Sequence, residues 1–195
     1  MNQVDFEETG AQVHSGFYEC FMALKPKVEN FLDRTLKVAD SEKQVDEILF
    51  VGHSLGGAIA SLMGMSLAPK YEKETLNFRV VSVGAPKIGN QALQNLFKQR
   101  VKKQLRIRLD SDIIVDSPPL LYWFRNSGND ADETDYPIFD VNDFAFASHM
   151  PESYLKGIER NKQVILKKKF ENAVQKAKTA VKKLTNSEEI IKTAE

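Results

Sequence analysis

The chain has 195 residues, carries 27 basic and 27 acidic side chains, and is 42% hydrophobic. This length suits one domain of ordinary size, and the balanced charge argues against nucleic acid as a partner. No apolar run approaches the ~20 residues of a membrane-spanning helix, and the start MNQVDFEETG lacks the basic residues and apolar core of a secretory signal. We therefore expect a cytoplasmic protein without a membrane span.

The first elements follow from hydrophobic spacing. Apolar residues recur at helical intervals over residues 17–38, with Pro26 as the one interruption, which predicts a single helix with a possible kink. The run ILFV at 48–51 is typical of a strand buried on both faces of a parallel sheet. A helix is expected directly after it, over residues 55–67.

Strands and helices then alternate. FRVVSVG at 78–84 predicts a second strand, residues 91–101 a helix, and LRIRL at 105–109 a third strand. Units of this length suit the crossover connections of a parallel sheet, so the fold class is α/β with helices flanking a mostly parallel sheet. Another strand is expected at 120–124, followed by a polar, turn-rich surface excursion at 126–137.

The composition changes near the C-terminus. From about residue 154 onward, lysines alternate with apolar residues at helical spacing, which predicts one or two amphipathic helices with a basic face. We divide the chain into a body, residues 1–158, and a lysine-rich helical tail, residues 159–195. The tail is expected to pack its apolar stripe on protein; the alternative is contact with an anionic membrane surface.

The stretch FVGHSLGGA at 50–58 places one serine between glycines, at the point where a strand passes into a helix. A serine hydroxyl needs exposure, a base and oxyanion donors before it can act as a nucleophile. Gly52 and Gly56 would allow the cramped turn of a nucleophile elbow, with Ser54 at its tip and the backbone N–H of Leu55 as an oxyanion donor.

The base should be one of three histidines. His53 adjoins Ser54, so its side chain points away from the serine and suits packing or support. His14 precedes the first helix and is interpreted as structural. His149 lies in a loop before a helix, in agreement with the chain order Ser, Asp, His of one hydrolase fold, and is the best candidate.

The acid that orients the base should follow a strand that comes after the serine strand. The loop DSDIIVDSPP offers Asp110, Asp112 and Asp116, and spacing alone does not choose among them. The histidines and the single Cys20, which is expected to be a packed thiol, lack metal-ligand spacing, and no nucleotide fingerprint is present. We therefore expect no metal and no cofactor.

Five segments of the chain occur together, in one order, in a known family. They are VHSGFYECF (13–21), ILFVGHSLGGAIASL (48–62), VSVGAPKIGN (81–90), RIRLDSDIIVDSPP (106–119) and SHMPESYL (148–155). In these motifs the chain resembles the fungal-type, class 3 triacylglycerol lipases of the α/β-hydrolase superfamily, over about residues 11–158. The resemblance implies an α/β-hydrolase fold and a lipid ester substrate.

The resemblance also implies roles for residues. Ser54 and His149 match the family's nucleophile and base. The family's acid stands in an Asp-Ile-Val-Pro-like segment before a Pro-Pro pair, which selects Asp112. Val115 replaces the usual proline of that segment, and this departure keeps Asp110 and Asp116 as alternatives.

A larger departure lies at the N-terminus. Members of the family have further strands before the VHxGF-like motif, including one whose loop supplies the second oxyanion donor and precedes a lid helix, whereas only residues 1–12 precede it here. Loss of one donor would slow acyl transfer by ~10²–10³. The strand ILFV would become a sheet edge, covered by residues 4–9, by a second copy of the chain or by an upstream sequence.

Two functions follow from these expectations. The first is a serine hydrolase that cleaves carboxylic esters of lipids through Ser54, His149 and Asp112. The alternative is a catalytically impaired lipase-like remnant that binds lipid or protein. Expected partners are a lipid ester, a membrane or lipid-droplet surface, and a second copy through the exposed sheet edge.

Overall fold

A computed structural model describes residues 2–42, 45–72, 76–117, 135–138 and 147–159, with the side chains of 38–42 and 135–138 excepted. The chain divides into two compact units, Met1–Gly157 and Ile158–Glu195. All features that follow belong to the first unit. The strand predicted at 120–124 and the tail after residue 159 lie outside the described residues.

The N-terminal segment forms a small hairpin. Strands β1 (Gln3–Asp5) and β2 (Gln12–His14) pair antiparallel, with Val4 opposite Val13, and lead into helix α1 (Ser15–Glu42). Phe6, in the turn, is fully buried, and its ring lies 5.7 Å from that of Phe21 on α1. Residues 4–9 were one candidate to cover the ILFV strand; the structure pairs β1 with β2 instead. Helix α1 runs without a break through Pro26.

Strands of the main sheet alternate with helices along the chain. Its elements are β3 (Glu47–His53), α2 (Leu55–Tyr71), β4 (Asn77–Val83), α3 (Gln91–Arg100), β5 (Lys103–Leu109) and β6 (Asp135–Ile138). The four described strands lie in the order β3-β4-β5-β6 and all neighbours pair in parallel. The α/β class predicted from the alternation of strand and helix patterns is confirmed.

Strand β6 corrects one prediction. Its first three residues, 135–137, end the segment 126–137, which is predicted to be a polar surface excursion. Pro137 lacks a backbone donor and aspartate disfavours strands, so local propensity opposes this assignment. Pairing with β5 prevails nonetheless, and Pro137 stands opposite Arg108 in the terminal strand of the described sheet.

The two faces of the sheet differ in burial. Helix α2 packs on β3 and β4, where a Cβ at Gly64 would overlap the Val80 side chain, so glycine permits this close approach. Phe50 points to the same core, but Leu49 and Val51 are 50% and 60% exposed. The prediction that ILFV is buried on both faces is therefore wrong.

Among the described helices, none is long and apolar enough to cross a membrane.

Candidate active site

Three side chains meet at the carboxyl edge of the sheet. Ser54 follows β3 directly, Asp112 lies in the loop after β5, and His149 ends a single 3-10 turn formed by Ala147–His149. Strands of a parallel sheet end at one edge, so loops that are distant in the chain converge there. The fold thus brings together the serine, acid and base that the sequence nominated.

Ser54 occupies a strained backbone conformation. Its φ is 55° and its ψ is −126°, a region that residues with a Cβ rarely adopt. Its N–H donates to the carbonyl of Val83 at 2.9 Å, and its own carbonyl accepts from the N–H of Gly57 at 2.9 Å. These bonds tie the turn to β4 and to helix α2, and they hold the serine in the position that an elbow requires.

Glycines make the elbow possible, but not both of the glycines that the motif suggested. A Cβ at Gly52 would collide with the backbone of Gly56, because strand and helix nearly touch there. A Cβ at Gly57 would lie 2.8 Å from the Cβ of Ala85. At Gly56, however, a Cβ would meet no atom within 4 Å. The expectation that Gly56 is needed for the cramped turn is wrong; Gly52 and Gly57 have that role.

A continuous chain of hydrogen bonds links the three side chains. The Ser54 hydroxyl lies 2.6 Å from Nε2 of His149, and Nδ1 of His149 lies 2.8 Å from Oδ2 of Asp112. An ionised carboxylate only accepts, so Nδ1 carries the hydrogen and donates to it. Nε2 then presents its lone pair to the serine hydroxyl, which is the arrangement that a general base needs.

Asp112 is held by further donors. The carboxylate is 1% exposed, and its Oδ1 accepts from the N–H of Ile114 at 2.8 Å. The hydroxyl of Tyr154 donates to Oδ2 at 2.6 Å and accepts from the N–H of Leu109 at 3.2 Å. Burial, and then the hydrogen bond to Asp112, raise the pKa of Tyr154, so its hydroxyl stays protonated and remains a donor.

Tyr154 is a site residue that the sequence did not single out. It lies in the helical segment 151–159, and an isolated tyrosine at that position carries no motif. Gly84, with φ +58°, makes room for it: a Cβ on Gly84 would lie 2.9 Å from the Tyr154 hydroxyl. The glycine after β4 thus shapes the site without touching the three central side chains.

The two alternative acids have other partners. Asp110 pairs with Arg108 at 2.8 Å and is partly exposed. The side chain of Asp116 is 75% exposed and lies 3.4 Å from the ammonium of the buried Lys87, which also donates to the Asp116 carbonyl at 3.1 Å. In this geometry Asp112 alone of the three aspartates contacts His149.

The two other histidines lie apart from the serine hydroxyl. His14 packs on Phe17, with ring centroids 4.5 Å apart, and burial lowers its pKa. Nε2 of His53 donates to the main-chain carbonyl of His149 at 2.8 Å. The sequence interpretation gave His53 a packing or supporting role, without naming the residue that it supports.

Leu55 opens helix α2, so its N–H has no acceptor within the helix. Together with the positive end of the helix dipole, such an N–H suits an oxyanion that forms beside Ser54. Within the described ranges, no group of histidine, cysteine, aspartate and glutamate side chains could hold a metal ion.

The sequence is similar to those of known proteins. The model of the family "Lipase (class 3)" matches residues 1–122. The chain belongs to the class 3 lipase family. The acid and base nominated in the sequence, at positions 112 and 149, lie within and beyond the matched part respectively.

Individual class 3 lipase relatives are distant in sequence. "Secreted mono- and diacylglycerol lipase 1" of Fusarium solani is 25% identical over 60% of this chain and 33% of its own length. "Phospholipase A(1) DAD1, chloroplastic" of Arabidopsis thaliana is 28% identical over 62% of this chain and 27% of its own. The chain thus spans a third or less of the length of these relatives.

A solved structure agrees with the fold. A triacylglycerol lipase, described as having a catalytic centre formed by a serine protease triad, superposes with a TM-score of 0.58. It is 27% identical, and the superposition covers 71% of this chain and 50% of that one. The α/β-hydrolase architecture of the class 3 lipases is therefore present in this chain.

Proposed function

We propose that the protein is a serine esterase that hydrolyses carboxylic esters of lipids. The observation that carries the proposal is the unbroken contact from Ser54 through His149 to Asp112, at 2.6 Å and 2.8 Å, on a strained elbow. Membership of the class 3 lipase family supports a lipid ester as the substrate class. With these groups assembled, the alternative of a non-catalytic remnant is not favoured.

The reaction proceeds in two halves. Ser54 Oγ attacks the ester carbonyl carbon while His149 Nε2 takes its proton, and Asp112 stabilises the imidazolium through Nδ1. The tetrahedral intermediate collapses, the C–O bond to the alcohol breaks, and the leaving oxygen takes the proton from His149. Water then attacks the acyl-serine with the same base, which releases the fatty acid and restores the serine.

The oxyanion of each intermediate lies next to the N–H of Leu55 in this mechanism. That donor is part of the backbone at the start of α2, so it is fixed before the substrate arrives.

The test uses the purified 195-residue chain, a fluorophosphonate probe and a series of p-nitrophenyl esters of increasing acyl length. We expect covalent labelling and ester turnover in the unaltered protein, and neither in Ser54→Ala. Ser66→Ala is the matched control, since Ser66 lies in helix α2, which follows Ser54, but its hydroxyl donates to Glu7 rather than to the triad. Equal labelling of Ser54→Ala and the unaltered protein would contradict the proposal.

We further propose that the site works at a lipid surface. The residue after each member of the triad is a large exposed hydrophobe: Leu55, Ile113 and Met150 are 43%, 47% and 53% exposed. Exposed apolar groups grouped around one site favour contact with an apolar phase. Met150→Gln should slow hydrolysis of an emulsified long-chain ester about tenfold, as expected for loss of one buried methionine, and leave a soluble ester unaffected.

Phe31→Gln provides the control for this lipid-surface proposal. Phe31 is 61% exposed on helix α1, so the variant removes equal hydrophobicity at a position away from the triad. A parallel loss in Met150→Gln and Phe31→Gln on emulsions would indicate a general effect of surface hydrophobicity and would contradict a lipid contact at the site.

A second copy of the chain is the other proposed partner. Strand β3 ends the order of the described strands, and Leu49 and Val51 on it are half exposed or more. An apolar edge strand favours pairing with another chain. Sedimentation velocity should detect a concentration-dependent dimer that Val51→Lys abolishes; a monomer at all concentrations would contradict this proposal.

A further inference from the structure

Among the described residues, the His53 side chain contacts His149 in two ways and also contacts Tyr154. Its Nε2 lies 2.8 Å from the His149 carbonyl oxygen. Its ring lies beside the His149 ring in a tilted arrangement, with centroids 4.9 Å apart and an interplanar angle of 36°. On its other side it meets the Tyr154 ring edge-to-face at 5.8 Å. A carbonyl only accepts, so Nε2 of His53 carries a hydrogen and donates.

These contacts join the elbow to the base loop. His53 and Ser54 are consecutive, and both contact His149: Ser54 at the tip of the imidazole, His53 at the main-chain carbonyl and the ring face. These contacts therefore hold both the backbone and the ring of His149 in a defined position relative to β3, the strand that leads into Ser54. A displacement of about 1 Å in such an arrangement can cost ~10²-fold in rate.

Besides His53, the base loop is tied over long range through its side chains: His149 bonds Asp112 and Ser54, and Tyr154 bonds Asp112 and Leu109. His149 ends a single 3-10 turn, and the bonds within the turn region, such as Met150 N–H to the Ala147 carbonyl at 3.1 Å, are local. They shape the loop but do not set its distance from β3. The His53 bond spans 96 positions of the chain and ties the main chain of the loop, rather than a side chain, to the end of β3.

We propose that His53 is a positioning residue for the base: its Nε2–H and ring face hold His149 at hydrogen-bonding distance from Ser54. This inference rests on the proposed function, in which His149 acts as the base. His53 itself takes no proton in the reaction and does not touch the ester.

Three substitutions separate the donor from the bulk of the side chain. In His53→Gln the amide N–H₂ reaches about as far as Nε2, so the bond to the His149 carbonyl is retained. His53→Asn carries the same amide on a shorter side chain and leaves the carbonyl without that donor. His53→Leu keeps apolar volume but has no donor. Gln and Asn are therefore a matched pair that differs in reach alone.

We expect His53→Gln to keep kcat within a few-fold of the unaltered protein, and His53→Asn and His53→Leu to lose about tenfold or more with little change in KM, since one hydrogen bond is at stake. Fluorophosphonate labelling of Ser54 should slow in the same order. Equal kcat values for the Gln and Asn variants would overturn the proposal, and so would a loss confined to KM.

A readout without turnover separates this proposal from the proposed function. The Nδ1–H of His149, bonded to Asp112, gives a downfield proton NMR signal that should persist in His53→Gln and broaden or vanish in His53→Asn. If the unaltered protein lacks Ser54-dependent hydrolysis, the proposed function fails, while this signal still decides whether His53 holds His149. An unchanged signal in all three variants overturns the positioning role. Thermal melts identify any variant that fails to fold, and His53→Gln then carries the comparison with the unaltered protein.

Discussion

Among the described residues, non-glycine residues have a positive φ in two turns. They are Glu7 and Glu8, at 49° and 58° in the N-terminal hairpin, and Ser54, at 55° in the elbow. Both turns are closed by backbone bonds, such as Phe6 N–H to the Ala11 carbonyl at 2.8 Å in the hairpin. In each turn the strained backbone directs one side chain, Glu7 in the hairpin and Ser54 in the elbow. The two side chains differ in the groups that they contact.

Glu7 points into the protein. One carboxylate oxygen meets the Lys25 ammonium on α1 and the Ser66 hydroxyl on α2, the latter at 2.6 Å, and the other lies 3.8 Å from Arg100 on α3. Ser54 instead presents its hydroxyl to a base at the edge of the sheet. Strain in the hairpin therefore serves the packing of three helices, whereas strain in the elbow serves chemistry. The contrast predicts opposite effects of substitution on stability and activity.

Ser54→Gly should give the largest effect and show the contrast most sharply. We expect a loss of ester hydrolysis of ~10⁴–10⁶ through removal of the nucleophile. Glycine tolerates φ near +55°, so the free energy of unfolding should rise by about 1 kcal/mol. Ester assays and urea unfolding measure the two quantities. Ser54→Ala should lose activity equally without the gain, and a stability loss in Ser54→Gly would refute a strained elbow.

Gly52→Ala tests what holds the elbow in place. The new Cβ would overlap the Gly56 backbone, so we expect a loss of about 3 kcal/mol or more in the free energy of unfolding, and little activity. Gly56→Ala is the matched control, because its Cβ meets open space, and should change stability by less than about 1 kcal/mol. Urea unfolding distinguishes the pair, and equal losses would mean that the elbow contacts are not as described.

Tyr154→Phe probes the support of the acid. The variant removes one of the donors to Asp112 and should lower kcat about tenfold with KM unchanged. Tyr71→Phe is a control of the same chemistry, since the hydroxyl of the buried Tyr71 on α2 donates to Asp33 on α1 at 2.6 Å. Steady-state kinetics on a soluble ester should show a lower kcat in Tyr154→Phe alone. Equal kcat values in both variants would contradict a role of Tyr154 in supporting Asp112.

Glu7→Gln is expected to have the smallest effect. Unlike Ser54→Gly, it should lower stability and leave specific activity unchanged. The amide keeps the shape of the side chain but loses the charge that Lys25 and Arg100 face, so stability should fall by about 1 kcal/mol for these partly exposed pairs. Activity per folded molecule should not change. Glu8→Gln, at an exposed neighbour with similar φ, should leave both quantities unaltered. A loss of specific activity in Glu7→Gln would couple the hairpin to the site.

Hydrophobic spacing was sufficient to predict most elements of the sheet and its helices, because their apolar residues repeat with the period of the structure that buries them. It failed at β6, where Asp135, Tyr136 and Pro137 carry no strand pattern and pairing with β5 decides. It also failed for Leu49 and Val51, since an apolar run reveals that a strand exists but not which of its faces another element covers.

The site divides in the same way. GxSxG and the order of the residues pointed to Ser54 and His149. Spacing alone left the three aspartates of one loop open, the family resemblance selected Asp112, and the folded chain places Asp112 against His149. The role of Gly52 rather than Gly56 depends on how closely α2 passes the end of β3, a distance with no sequence signal. Tyr154 and Asp112 are 42 positions apart, and their contact depends on the folded chain.

Gly84 has a consequence for protein engineering. Gly84 has φ +58°, a conformation in which asparagine is the usual replacement for glycine. Any side chain there would push against the Tyr154 hydroxyl, which lies 2.9 Å from the position of a Cβ, and through it shift the acid. A mutational scan scored by turnover would therefore rank position 84 with the active site, whereas one scored by solubility would miss it.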